Sequence, residues 1–204
     1  PDLPGHGRST GAPLATIADM ADWTAALLDA AGAPKAKLIG HSMGSLIALE
    51  TSARHPDKVS GLCLIGTAAA MTVGPDLLQA AEANSPDAID MVSIWGLGFK
   101  AELGGSLAPG LWMHQGAQRV LQQTRPGVLH NDLNACNSYQ DALAAAAQVK
   151  VPTTFILGER DMMTPVKAGK TLAAATPNAR TVVIPGAGHM MRAETPDELL
   201  AALR

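Results

Sequence analysis

A serine, a carboxylate and a histidine, each set among glycines in a different part of the chain, are the residues whose types and spacing could do chemistry. Ser42 lies in Gly40-His41-Ser42-Met43-Gly44, a G-x-S-x-G pattern. A serine hydroxyl is a poor nucleophile at neutral pH and needs an adjacent base. Histidine suits that task because its pKa lies near working pH. The chain has six histidines, and His189, in Gly186-Ala187-Gly188-His189-Met190, stands directly after an apolar run. A third group, a carboxylate, must fix the imidazole tautomer and stabilise the imidazolium. Asp161 in Gly158-Glu159-Arg160-Asp161 follows another apolar run, and Glu159 competes with it. Asp161 lies deeper in the loop and is preferred. Glu159 is expected to pair with Arg160 or with solvent, and Asp132 is a more distant rival.

Each motif has a bland alternative. G-x-S-x-G alone can be a Gly-Ser turn that merely caps a helix, and a loop histidine can be incidental. His6 sits in an N-terminal loop. His55 ends a helical pattern beside Pro56, where it suits the negative end of the helix dipole. His114 and His130 fall in an irregular stretch. His41 adjoins the nucleophile and is expected to shape the site rather than act as base.

The elements that must position these groups are legible in outline. Residues 37–40 form a short apolar run that predicts a buried strand, and 43–54 a helix closed by Pro56. Ser42 therefore falls on the sharp turn between them, its hydroxyl lifted by a strained backbone. A side chain at Gly40 or Gly44 is expected to collide with the neighbouring backbone. The helix start turns unpaired N–H groups toward the site, so the Met43 N–H is the expected oxyanion donor. Strands are also predicted over 59–65, 153–158 and 180–184. Thr16 with Asp19 reads as a capping box. Thr164-Pro165 and Thr195-Pro196 read as N-cap and first helical residue. Apolar strands alternating with helices mean a mostly parallel sheet with helices on both faces. Loops beyond the carboxyl ends of such strands are where chemistry is placed. From 68 to 148, short helical patterns alternate with Gly/Pro breaks, one of them at Pro109-Gly110.

Composition narrows the function classes. The 204 residues suffice for one sizeable core. Charged residues make up 16% and the formal charge is −3, with no dense Lys/Arg cluster, so nucleic acid is not an expected partner. No stretch approaches the roughly 20 apolar residues of a membrane span. Cys63 lies in an apolar run and reads as core; Cys136 is core or pocket lining. Neither has metal-ligand spacing, and neither a metal nor a cofactor is expected. The chain begins Pro1-Asp2-Leu3-Pro4, without a Met or a secretory segment, and is expected to be the interior of a longer, cytoplasmic product.

Asp2-Leu3-Pro4-Gly5-His6-Gly7-Arg8-Ser9, the G-x-S-x-G segment, Leu157-Gly158-Glu159-Arg160-Asp161 and Gly186-Ala187-Gly188-His189 together resemble the α/β-hydrolase family, as does the order Ser, Asp, His. The resemblance spans the whole chain. It implies Ser42, Asp161 and His189 as a catalytic triad. It also implies a core of residues 1–67 and 149–204 and an inserted helical cap over 68–148. In that family the first strands, and the loop with the second oxyanion donor, precede the Asp-x-x-Gly-x-Gly segment. The resemblance thus implies an N-terminally truncated chain that, expressed alone, folds poorly or is nearly inactive. A cap should roof the substrate pocket. Trp95, Phe99, Trp112 and Met113 are the candidates to line it, with His41 and Met190 beside the triad; their bland alternative is a small core holding the cap in place. A small or medium apolar ester is the default substrate. Lactone, thioester and carbon–carbon bond hydrolysis and cofactor-free perhydrolysis use the same triad in relatives. A non-catalytic ligand-binding homologue is the alternative of a different class.

Overall fold

Four apolar runs pair side by side in the computed structural model, which describes residues 1–106 and 110–204. They are β1 (Ala36–His41), β2 (Val59–Ile65), β3 (Thr153–Gly158) and β4 (Ala179–Ile184). Their spatial order is their chain order, and every neighbouring pair is parallel. All four carboxyl ends therefore lie along one edge. The strands match the predicted runs, with β1 longer by a residue at each end and β4 by one at its start. Pro109, predicted as part of a chain break, lies outside the described residues.

Eleven helices are seen among the described residues. α1 (Ile17–Ala30) precedes the sheet, and α2 (Met43–Arg54) follows β1. Between β2 and β3 run α3 (Pro75–Glu82), α4 (Pro86–Trp95), α5 (Phe99–Glu102), α6 (Met113–Leu121), α7 (Val128–Ser138) and α8 (Ala142–Gln148). α9 (Val166–Ala175) links β3 to β4, and α10 (Met191–Glu194) and α11 (Pro196–Leu203) end the chain.

Successive strand side chains point to opposite faces, and the core divides accordingly. Leu62 and Leu64 of β2 and Phe155 of β3 join one cluster with residues of α1, α2, α8 and α9. Ile65 and Ile156, one position out of phase, join a second cluster with Ile184, Met191 and Leu199. Helices thus cover both faces. Cys63 is buried in the sheet, as expected of a small core residue.

The predicted caps fare differently. The Thr16 hydroxyl accepts the Asp19 N–H at 3.0 Å and itself donates to the Asp19 carboxylate at 2.6 Å. The box is therefore closed through the side chains. Thr164 is not the cap of α9, whose N-cap position is Pro165, because its hydroxyl is committed to Asp161. Thr195 does not cap α11 with its side chain; its hydroxyl donates back to the Met191 carbonyl of α10 at 3.3 Å.

Candidate active site

Ser42 stands between β1 and α2 with φ 54° and ψ −124°. A non-glycine residue with positive φ is uncommon and costs free energy unless its surroundings impose it. Two backbone bonds impose it here. The Ser42 N–H donates to the Ile65 carbonyl at the end of β2 at 2.9 Å, and its carbonyl accepts the Ser45 N–H at 2.8 Å. Gly40 is required: a Cβ there would lie 2.0 Å from the Gly44 carbonyl oxygen. Gly44 is not, since a Cβ there would meet nothing within 4 Å. The expected collision holds for the first glycine only, because the second sits on the open side of the helix turn. Met43 is the first residue of α2, so its N–H has no acceptor within the helix.

Asp161 follows β3, and its carboxylate is fully engaged. Oδ1 accepts the N–H groups of Met163 at 2.9 Å and Thr164 at 2.8 Å. Oδ2 accepts the Thr164 hydroxyl at 2.7 Å and the His189 Nδ1 proton at 2.8 Å. Burial pushes the Asp161 carboxyl up. The hydrogen bond and charge of His189, with the Thr164 bonds, outweigh it and hold the group below its ordinary value. An ionised carboxylate only accepts, so Nδ1 carries the ring proton and Nε2 of the neutral imidazole is bare. That is the form a general base needs.

His189 is 3% exposed and lies over the end of β2, where a Cβ on Gly66 would come within 3.0 Å of its ring. Ser42 is tied to the neighbouring Ile65. The structure therefore brings serine, carboxylate and imidazole to one sheet edge. His189 Nε2 is buried and makes no hydrogen bond among the described residues.

His41 lies beside this pair. Its ring centroid is 4.7 Å from that of His189. Its Nε2 donates to the His189 carbonyl at 2.8 Å, and its Nδ1 accepts from Arg192 at 3.2 Å. A carbonyl only accepts and a guanidinium only donates, so His41 is the neutral Nε2–H tautomer. Burial first, and then the neighbouring His189, push its pKa down to about 3. Both ring nitrogens are thereby occupied.

Four of the rival residues have partners of their own. Asp132 pairs with His6 at 2.7 Å, and His55 with Asp22 at 2.7 Å. Glu159 accepts the Gly186 N–H at 2.9 Å and lies 3.9 Å from Arg160.

A cavity of about 280 Å³ opens onto Ser42, walled by Met71, Leu77, Trp95, Leu133, Cys136 and Met163 among others, and none of its lining residues is charged. Of the six residues predicted to surround the substrate only Trp95 lines it, and Cys136, read as core or pocket lining, does so too. Phe99 and Trp112 are 73% and 52% exposed. Met113 is buried with Leu97 and Ala101, and Met190 packs against that small cluster, so these two serve packing. Met71, Leu77 and Leu133 were not predictable, because their place on the wall depends on how α3 and α7 cross the sheet edge. Met162 and Met163 carried a signal in directly following Asp161.

A family model described as alpha/beta hydrolase fold matches residues 1–194. The chain belongs to the α/β-hydrolase fold family. This hydrolase is 32% identical over 200 residues to a pimeloyl-[acyl-carrier protein] methyl ester esterase of Neisseria meningitidis, covering 92% of the chain and 73% of that relative. It is 33% identical over 195 residues to the enzyme of the same name from Chromobacterium violaceum, covering 92% of the chain and 74% of that relative. Among solved structures, a thermophilic esterase superposes with a TM-score of 0.82 at 30% identity, covering 99% of the chain and 77% of its own. An enol-lactonase from Burkholderia xenovorans shares the fold with a TM-score of 0.84 at 24% identity, covering 99% and 77%.

Proposed function

We propose that this hydrolase cleaves carboxylic esters with small to medium apolar acyl groups, using Ser42 as nucleophile, His189 as general base and Asp161 as the orienting acid. The observation that carries this reading is the buried 2.8 Å bond between Asp161 and His189, placed at the same sheet edge as the strained turn of Ser42. The relatives named as esterases support it.

In the reaction, His189 Nε2 takes the Ser42 hydroxyl proton as Oγ bonds to the ester carbonyl carbon. The Met43 N–H donates to the resulting oxyanion. On collapse the carbon–alkoxy bond breaks, and the imidazolium returns its proton to the leaving alkoxide, which departs as the alcohol. Water then attacks the acyl-enzyme with His189 again as base, releasing the acid and restoring Ser42. Asp161 stays ionised throughout. The uncharged cavity takes the acyl group, and residues 68–148 act as the cap that roofs it, α3, α4 and α7 supplying wall residues and α8 packing against α2.

A second reading, favoured by the names of the relatives at 32–33% identity, is a methyl ester at the end of a longer acyl chain held on a carrier protein. Lactone hydrolysis, thioester hydrolysis, carbon–carbon bond hydrolysis and perhydrolysis are further uses of the same triad. A fluorophosphonate probe should label Ser42 in the full-length protein, and Ser42→Ala should abolish both labelling and turnover. A full-length protein that resists the probe would favour a non-catalytic ligand binder. A panel of p-nitrophenyl esters of rising chain length, with methyl esters of dicarboxylic acids alongside, then separates the two substrate readings.

A further inference from the structure

His189 is held by more than its bond to Asp161. Three backbone groups around it have partners on three other segments. The His189 carbonyl accepts from His41 Nε2 at 2.8 Å. The Met190 N–H donates to the Gly96 carbonyl at 2.9 Å. The Gly188 N–H donates to Glu194 Oε2 at 2.9 Å. That same oxygen accepts the Gly98 N–H, also at 2.9 Å. Glu194 is a carboxylate only 9% exposed, and burying a charge is costly unless hydrogen bonds compensate. Here the compensation comes from two N–H groups, one next to the catalytic histidine and one at the start of α5.

The glycines make this contact possible. A Cβ on Gly188 would lie 2.2 Å from the Gly98 nitrogen, and one on Gly158 would lie 2.2 Å from the Gly188 carbonyl oxygen. The His189 loop, the end of β3 and the segment entering α5 thus touch backbone to backbone, with Glu194 joining two of them.

We propose that Glu194 is a positioning residue for this reaction, its single carboxylate oxygen fixing the His189 loop and the segment entering α5 to one another so that the imidazole stays aimed at Ser42. The proposal rests on the ester-hydrolase reading for its kinetic consequence but not for its structural one. Glu194 touches neither substrate nor reacting atoms; it acts through the backbone of Gly188. Displacing a catalytic group by about 1 Å can cost about 10²-fold in rate.

The test compares Glu194→Ala, Glu194→Gln and Glu194→Asp in folded full-length protein well below the melting temperature. Two readouts are taken: the rate of fluorophosphonate labelling of Ser42, with kcat and KM for p-nitrophenyl butyrate, and the downfield proton resonance of His189 Nδ1–H. Glu194→Ala is expected to slow labelling and lower kcat about 10- to 100-fold, to change KM about 3-fold or less, and to broaden or shift the resonance. Glu194→Gln, whose amide oxygen can still accept both N–H groups, should restore both readouts. Its nitrogen takes the place of Oε1, which has no partner among the described residues. If the alanine variant does not fold, Glu194→Asp carries the comparison: one methylene shorter, it should lose about 10-fold in labelling rate.

Parent-like labelling, kcat and resonance in Glu194→Ala, or in Glu194→Asp where it replaces it, would overturn the proposal. So would a glutamine variant as impaired as the alanine. A parent protein that is never labelled, with a resonance that still responds to Glu194→Ala and recovers in Glu194→Gln, would overturn the ester-hydrolase reading and leave the positioning role standing.

Discussion

Ser42 and His41 are adjacent in the chain and do opposite work. Ser42 holds a backbone conformation that costs about 1–3 kcal/mol, offset by the bonds from Ile65 and Ser45 that tie down the turn. His41 donates its Nε2–H to the His189 carbonyl and accepts from Arg192 at Nδ1. Its pKa in the folded protein is about 3 against an ordinary 6.5. A histidine whose folded pKa is depressed contributes stability that is fully present above about pH 6.5 and lost as pH falls toward the folded value, by at most about 1.4 kcal/mol per pH unit. His189, Arg192 and Asp161 are the charged or titratable neighbours that bear on it. His41→Gln, which keeps an N–H donor without a titratable ring, is therefore expected to lose less melting temperature than the parent between pH 7 and pH 5. Thermal melts at the two pH values check this, and parallel losses in both proteins would count against it.

At the scale of the element, the turn from β1 into α2 depends on one glycine and not on the other. Gly40→Ala drives a Cβ into the Gly44 carbonyl at 2.0 Å, and backbone cannot yield there without moving α2 off the sheet. A loss of about 3 kcal/mol or more is expected, beyond the usual cost of overpacking a core. Gly44→Ala meets open space in a helical position, where alanine is favoured over glycine by up to about 1 kcal/mol. Urea unfolding of the two variants should therefore give shifts of opposite sign. The G-x-S-x-G pattern shows that both glycines are present; only the crossing of helix and strand shows which one is needed.

For the whole molecule, the deciding feature is that the long excursion between β2 and β3 returns over the sheet edge. Met71 precedes α3, Leu77 lies in α3, Trp95 ends α4, and Leu133 and Cys136 belong to α7, yet all five face one cavity with Ser42. The excursion is fastened to the core by the Tyr139 hydroxyl on Glu50 at 2.6 Å and by Asn131 on the Leu14 carbonyl at 2.8 Å. Leu133→Trp adds bulk to the wall without touching Ser42, Asp161 or His189. It is expected to raise KM for p-nitrophenyl octanoate about 10-fold, on the scale of discrimination that an apolar pocket achieves, while the acetate ester changes less than about 2-fold. Equal effects on both esters would remove this cavity as the acyl site.

The sequence alone determined whatever depends on neighbours along the chain. The apolar runs became the four strands, the glycine-flanked Ser42 became the strained turn, and Asp161 and His189 fell at the ends of β3 and β4 because a parallel sheet puts every carboxyl end on one side. Tertiary structure decided what depends on groups far apart in the chain. Thr164 left its expected place as a helix cap for Asp161, Glu194 bound two glycines 90 positions apart, and Phe99 and Trp112 turned out exposed while Met71 and Leu133 walled the cavity. Local backbone sterics and hydrophobic period are written over a few residues and can be read directly. A hydrogen bond or a pocket wall exists only once helices have packed, and their crossing is set by the sum of many weak contacts that no short motif encodes.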